Sequence, residues 1–230
     1  MIPILLIPGL ICTAELFTPQ LPALWSHGPV TVASTLEGDT IGAMASAILR
    51  DAPPTFALGG LSMGGYIALE ILRQAPERVV KLALLDTSAR PDTAEQTRLR
   101  KGMVETALNG GYGTVLAMTL PNLVHPDHRG HQALIDTLTR MGRAGGPEGC
   151  ARQQGAIMGR VDSRPFLSAI AVRTLVLVGE QDALTPPEMA HEMGAAIPGA
   201  KTVIIPNAGH ISTLEQPEAV TTALVEWLKA

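Results

Sequence analysis

The chain has 230 residues, with 17 Lys and Arg against 21 Asp and Glu, a formal net charge of −4. Hydrophobic residues make up 46% and charged residues 17%, which excludes a disordered chain and suits one domain, or at most two, with a large buried core. With no basic excess to neutralise phosphates, nucleic acid is not an expected partner.

The apolar start, Ile2 to Cys12, is broken by Pro3, Pro8 and Gly9, and the first Lys or Arg is Arg50. The positive region of a signal peptide is therefore missing, and no stretch reaches the ~20 apolar residues of a membrane helix. Ile4 to Ile7 is expected to be a buried strand ended by Pro8-Gly9. A second strand is predicted over Thr31 to Thr35. A helix follows over Thr40 to Arg50, with Ile41, Met44, Ala45, Ile48 and Leu49 at helical spacing. Thr55 to Gly59 is the next strand, Met63 to Ala75 the next helix, stopped by Pro76, and Val79 to Leu85 the strand after it. From about Pro91 to Pro165 the alternation fails. That stretch has helical periods but no clear strand, and it is too long for an ordinary connection. It is expected to be a helical cap inserted over an active site. Asn109 to Gly113 reads as a loop or hinge at its base. Strands return at Thr174 to Val178 and Thr202 to Ile205, with a helix around Glu188 to Ala196 between them. Thr213 to Lys229 is predicted to close the chain as one helix. Apolar strands alternating with helices give an α/β fold, a mostly parallel sheet with helices on both faces, as a single domain over 1–230 with the cap at about 91–165.

The segment Gly60-Leu61-Ser62-Met63-Gly64 is a G-x-S-x-G lying between an apolar strand and an apolar helix. A sharp strand-to-helix turn lifts such a serine clear of the sheet, and the residues two before and two after it come so close that both must be small. The helix N-terminus behind it favours negative charge. Ser62 is thus the candidate nucleophile, and a serine needs an adjacent base. His210, in Pro-Asn-Ala-Gly-His after the Thr202 strand, lies at a strand's C-terminal end, the rim where α/β folds place their chemistry. Asp182, in Gly-Glu-Gln-Asp-Ala-Leu-Thr-Pro after the Thr174 strand, lies on the same rim and is the candidate acid. Glu180 and Asp86 are its rivals, Asp86 the more serious. A serine attack puts negative charge on the carbonyl oxygen, which two backbone N–H groups usually receive. Met63, next to the nucleophile, and Leu10, in the loop after the first strand, are the expected donors.

Taken together, these segments resemble the α/β-hydrolase superfamily, in the branch of small carboxylesterases and 3-oxoadipate enol-lactonases, over nearly the whole chain. Ile4 to Cys12 resembles its oxyanion loop, Gly60 to Gly64 its nucleophile elbow, Gly179 to Pro187 its acid loop and Asn207 to Pro217 its histidine loop. Leu84 to Ala89 looks like the enol-lactonase branch over a short span. Pro8 stands where many relatives carry His, and two strands common at the start of the family's sheet are missing, so a smaller sheet is expected. The resemblance implies a serine hydrolase of carboxylic esters acting through an acyl-enzyme, with Ser62, Asp182 and His210 as its triad and without metal or cofactor. Its expected partner is a small-molecule ester or lactone, with no membrane, in the cytoplasm. Enol-lactonase or perhydrolase chemistry on the same triad, or a non-catalytic ligand-binding homologue, are the alternatives. Serine rather than aspartate at the elbow argues against haloalkane dehalogenase and epoxide hydrolase chemistry.

Three other signals are weaker. His125, His128 and His131 recur every third residue beside Asp127, but Pro126 and Gly130 interrupt a regular helix, so a solvated loop is expected rather than a metal site. Cys12 and Cys150 are too few for a disulfide framework and are read as free thiols in a reducing compartment. The Asn109 to Gly113 glycines lack the strand-helix frame of a phosphate cradle.

Overall fold

Six strands, all parallel, form one sheet in the order β2-β1-β3-β4-β5-β6 in the computed structural model, which describes residues 1–230. β1 spans Ile4–Ile7 and is followed by the short helix α1 (Leu21–Trp25), β2 (Val30–Val32), α2 (Ile41–Asp51) and β3 (Phe56–Leu61). Next come α3 (Met63–Gln74) and β4 (Val79–Leu85). The chain then leaves the sheet for α4 (Ala94–Thr106), α5 (Tyr112–Thr119) and α6 (Gln132–Met158). It returns through β5 (Arg173–Gly179), α7 (Pro187–Ala196) and β6 (Lys201–Ile205), and ends with α8 (Ser212–Glu215) and α9 (Pro217–Lys229).

The strands are apolar almost throughout because both faces are covered. Alternate residues sort to opposite sides, as a period of two requires. Leu5, Leu58, Leu82, Leu84 and Val176 pack against α2, α3 and α7. Leu6, Leu61, Leu85 and Leu177 pack against α1 and α9 on the other face. α2 illustrates how sequence sets an element. Thr40 caps it by accepting the Ala43 N–H at 3.0 Å, and Ile41, Met44, Ala45 and Ile48 form its buried stripe. From β1 the chain crosses outward to β2, then returns past β1 to β3. The C-terminal ends of β1 and β3 therefore flank a point where connections diverge, which opens a crevice in such sheets.

Three elements differ from the sequence expectation. The second strand covers Val30–Val32 instead of Thr31 to Thr35. Leu6 pairs with Val32, and β1 then runs into Pro8, so Ser34 and Thr35 have no neighbouring ladder to join. The closing helix is two helices. Gln216, at φ −132° and ψ 61°, is held out of the helical region by Pro217, which splits α8 from α9. Asn109 to Gly111, expected as a loop or hinge, is a kink between α4 and α5 rather than an open loop, with Asn109 and Gly110 outside the helical region and Gly110 at φ 87°. α6 is likewise bent, at Gly146, where φ is 65° just before Pro147.

Candidate active site

The loops that follow β1, β3, β5 and β6 all emerge at one edge of the parallel sheet, and four of the sequence-derived residues sit on them. Ser62 lies between β3 and α3 with φ 57° and ψ −117°, a conformation that ordinary L residues avoid. The turn is held from both sides. The Ser62 N–H donates to Leu85 O at 3.0 Å, and the Thr87 hydroxyl donates to Ser62 O at 2.8 Å. A side chain at either flanking glycine would forbid it: a Cβ on Gly60 would stand 2.2 Å from Gly64 O, and one on Gly64 would stand 2.0 Å from Ile7 O. The spacing of the motif is thus a packing requirement, and the strain of Ser62 is fixed by its neighbours.

His210, buried at 4% exposure, stands with Nε2 2.8 Å from Ser62 Oγ and Nδ1 2.8 Å from Asp182 Oδ2. In the tautomer with its proton on Nδ1, the ring donates to Asp182 and accepts from the Ser62 hydroxyl. Asp182 is itself immobilised. Its Oδ1 accepts the N–H groups of Leu184 and Thr185 at 2.9 and 3.0 Å, and its Oδ2 accepts the Thr185 hydroxyl at 2.7 Å. Burial pushes the Asp182 carboxyl up, but the facing imidazolium charge and these donors outweigh it and hold it below the usual carboxylate range. Burial likewise pulls His210 down, and the Asp182 carboxylate more than reverses this, so its pKa is raised. The two side chains stabilise each other's charged forms.

Asp86, the serious rival for the acid, is elsewhere engaged. Its Oδ1 accepts the Gly179 N–H at 2.8 Å and its Oδ2 the Ser212 hydroxyl at 2.5 Å. Burial, reinforced by the nearby Asp182 charge, raises its pKa well above the ordinary value. It ties β4 and β5 to the start of α8. Glu180 is exposed, and Gln181 Nε2 donates to its side chain.

Leu10 lies in the turn after β1. Its N–H has no partner within the protein. Met63 opens α3, so no preceding helical turn can accept its N–H. The Leu10 loop is brought up to the serine at Gly9, where a Cβ would meet Ser62 Cβ at 3.3 Å. The next amide, that of Ile11 at φ 53°, donates to the buried Gln153 Oε1 of α6 at 2.8 Å. Gln153 Nε2 in turn donates to the Thr35 hydroxyl at 2.9 Å. Pro8 leaves this arrangement intact.

Ser62, His210 and Leu10 share the wall of a cavity of about 270 Å³. Leu99 and Met103 of α4, Leu123 and the α6 residues Gln154 and Ile157 complete much of it, so residues of the 91–165 stretch share this cavity with Ser62. Cys12 also lines the cavity. Burial pushes its thiol up to about 12, which favours the neutral form. Cys12 and Cys150 are both free thiols. Of the three regularly spaced histidines, His128 pairs with Glu215 at 2.9 Å, and no three His, Cys, Asp or Glu side chains converge as a metal site would require. No helix is long and apolar enough to cross a membrane.

Several residues that build the site carry no sequence signal. Gln153 belongs to no motif, and Thr185 and Ser212 lie inside the acid and histidine loops with nothing in the sequence to single them out. Glu215, whose side chain is fully buried, accepts the N–H of His125 at 2.6 Å and that of Gly209, beside His210, at 2.8 Å. Only its place in a polar cluster just after His210 hinted at a role.

Comparison with known proteins fits this geometry. A family model described as "Alpha/beta hydrolase family" matches residues 4–223. A pimeloyl-[acyl-carrier protein] methyl ester esterase of Neisseria meningitidis is 28% identical over 218 residues, covering 87% of this chain and 82% of that protein. The solved structure of a thermophilic esterase from Thermogutta terrifontis, with malate bound, matches at a TM-score of 0.90 and 33% identity, over 100% of this chain and 90% of that one. An enol-lactonase from Burkholderia xenovorans LB400 matches at a TM-score of 0.91 and 26% identity, over 99% and 91%.

Proposed function

The chain belongs to the alpha/beta hydrolase family as an esterase-type member, and from that premise we propose that it cleaves small and medium carboxylic esters through an acyl-enzyme on Ser62. His210 Nε2 takes the Ser62 proton as the oxygen attacks the ester carbonyl. Asp182 holds the Nδ1 tautomer and stabilises the imidazolium that forms. The Leu10 and Met63 N–H groups receive the tetrahedral oxyanion. His210 then protonates the departing alcohol, and water activated by the same nitrogen releases the acid. Every step uses the chain's own groups and water. Residues 91–165 act as the cap that excludes bulk water and shapes the acyl site. A lactone would open by the same steps, with its alcohol remaining attached to the acid, and the likeness to an enol-lactonase favours that second reading. Two unoxidised thiols suit the reducing cytoplasm as the place of work.

The observation that carries this reading is the unbroken relay of two 2.8 Å contacts from a strained serine to a fixed carboxylate. The test is turnover of p-nitrophenyl acetate and butyrate by the wild type and by Ser62→Ala. We expect hydrolysis and labelling by a fluorophosphonate probe, both lost in the variant. Equal rates in the two proteins would remove Ser62 as nucleophile, and neither turnover nor labelling in the wild type would favour a ligand-binding protein.

A further inference from the structure

The cavity beside Ser62 carries charge as well as apolar surface. Arg90, Arg100 and Arg160 line it, and no Asp or Glu does. Arg90 is half exposed and is matched from outside by Glu192 at 2.8 Å. The other two share one carboxylate. Asp92, 1% exposed, accepts from Arg100 Nε at 2.9 Å and also from Arg160 Nη1. The Arg160 side chain is 6% exposed and that of Arg100 is 21% exposed. Two cations and one anion leave a surplus of one positive charge, in a chain whose total is −4. A sequestered surplus charge is costly unless something pairs with it.

The remaining bonds of these arginines are to neutral groups. Arg160 Nε donates to Arg90 O at 2.9 Å, and its guanidinium lies 4.4 Å from the centre of the Tyr66 ring. Arg100 Nη1 donates to Gln154 Oε1 at 2.7 Å. The Nη2 of each guanidinium donates to nothing in the protein, whereas every other nitrogen of both has a partner. Each guanidinium so held keeps the N–H groups of its Nη2 for a charge-assisted bond to a carboxylate oxygen.

We infer that this cavity takes esters or lactones bearing a second, free carboxylate, which Arg100 and Arg160 hold while the scissile carbonyl faces Ser62. The inference rests on the proposed hydrolysis at Ser62 and goes beyond it by naming the substrate's charge. One carboxylate balances the surplus, whereas a phosphate dianion would exceed it. The apolar walls of Leu99, Met103 and Ile157 suit the methylenes between the two ends. Half-esters of dicarboxylic acids, and lactones carrying a carboxylate, are the chemical class that fits.

Monomethyl adipate and methyl hexanoate differ only by a carboxylate in place of a methyl group, so their kcat/KM ratio isolates this subsite. In the wild type we expect the half-ester to be favoured by about tenfold or more, the usual worth of a charge-assisted pair. Arg100→Gln should bring the ratio near one. Asp92→Asn, which enlarges the surplus, should raise it. A purely structural role for the cluster could not move the ratio in opposite directions. Equal or better turnover of the neutral ester by the wild type overturns the inference, as does one ratio common to all three proteins. Should no ester be turned over, the hydrolytic reading falls and binding still tests the subsite. Adipate should raise the Tm of the wild type and leave that of Arg100→Gln unmoved, and no shift in either overturns it.

Discussion

At the scale of single residues, the two buried aspartates of the site differ by environment alone. Asp182 faces His210 and three further donors, which keep it ionised across the range in which His210 titrates. Asp86 faces a backbone amide and a hydroxyl, and its carboxyl is driven towards the neutral form. His210 must be neutral to accept the Ser62 proton, and its pKa is raised, so kcat/KM should rise with pH along a limb centred above the ordinary histidine value of about 6.5. Asp182→Asn removes the main charge that raises that pKa and leaves burial, which lowers it, opposed only by the smaller influences of Asp86 and Glu215. The limb should therefore move to lower pH while kcat falls by about 10⁴-fold, as for a lost tautomer. Asn at position 86 keeps an acceptor for the Gly179 N–H and a group that can donate to Ser212 Oγ. Asp86→Asn should accordingly change kcat by less than about tenfold and leave the pH limb in place. Profiles of kcat/KM for the two variants decide the assignment: a greater loss at 86, or an unmoved limb at 182, makes Asp86 the acid.

Among elements, α6 braces the site from outside the sheet. Through Gln153 it holds the Ile11 amide, and so fixes the peptide beside Leu10. Gln153→Leu leaves that buried donor without an acceptor, at a cost of about 1–3 kcal/mol and a Tm lower by about 2–4 °C for each kcal/mol. If the Leu10 amide serves the oxyanion, kcat should fall by about 10–100-fold while KM stays within about twofold, because that contact forms fully only in the transition state. A fall in Tm with kcat unchanged would make Gln153 a structural brace only. This bond also marks where sequence reading stops. Ser62, Asp182 and His210 each stand in a short local pattern at a strand end, and α2, α3 and the buried strands follow from periodicity within a dozen residues. Ile11 and Gln153 are 142 positions apart, and Asp86 and Ser212 are 126 apart. Such pairs leave no trace in local spacing. The same is true of Arg100 and Arg160, which on the sequence are two charges in a polar stretch. The missed break at Gln216 is of another kind: Pro217 was visible, but the apolar period of α9 ran on past it.

Across the whole molecule, the three helices between β4 and β5 are not a separate body. Leu116 of α5 and Leu138, Met141 and Cys150 of α6 belong to the same apolar cluster as Leu6, Leu85 and Leu177 of the sheet and Trp227 of α9. Polar bonds reinforce the union, with the His210 N–H donating to Leu123 O at 2.8 Å and Glu215 gripping the His125 and Gly209 amides together. A shared core predicts shared unfolding. In a Cys12→Ser chain the sole thiol is Cys150, and Trp227 reports on the sheet side, since Trp25 is 70% exposed. Urea titrations followed by Cys150 labelling and by tryptophan fluorescence should therefore give one midpoint. Glu215→Ala strips two buried amides of their acceptor, so labelling should then precede the fluorescence change. Labelling of Cys150 well below the fluorescence midpoint in the Glu215 protein would mean that α4 to α6 lift off independently. With one midpoint, substrate entry falls to side chains at the cavity mouth, because the histidine loop and the residues that cover it cannot part without disturbing the relay they frame.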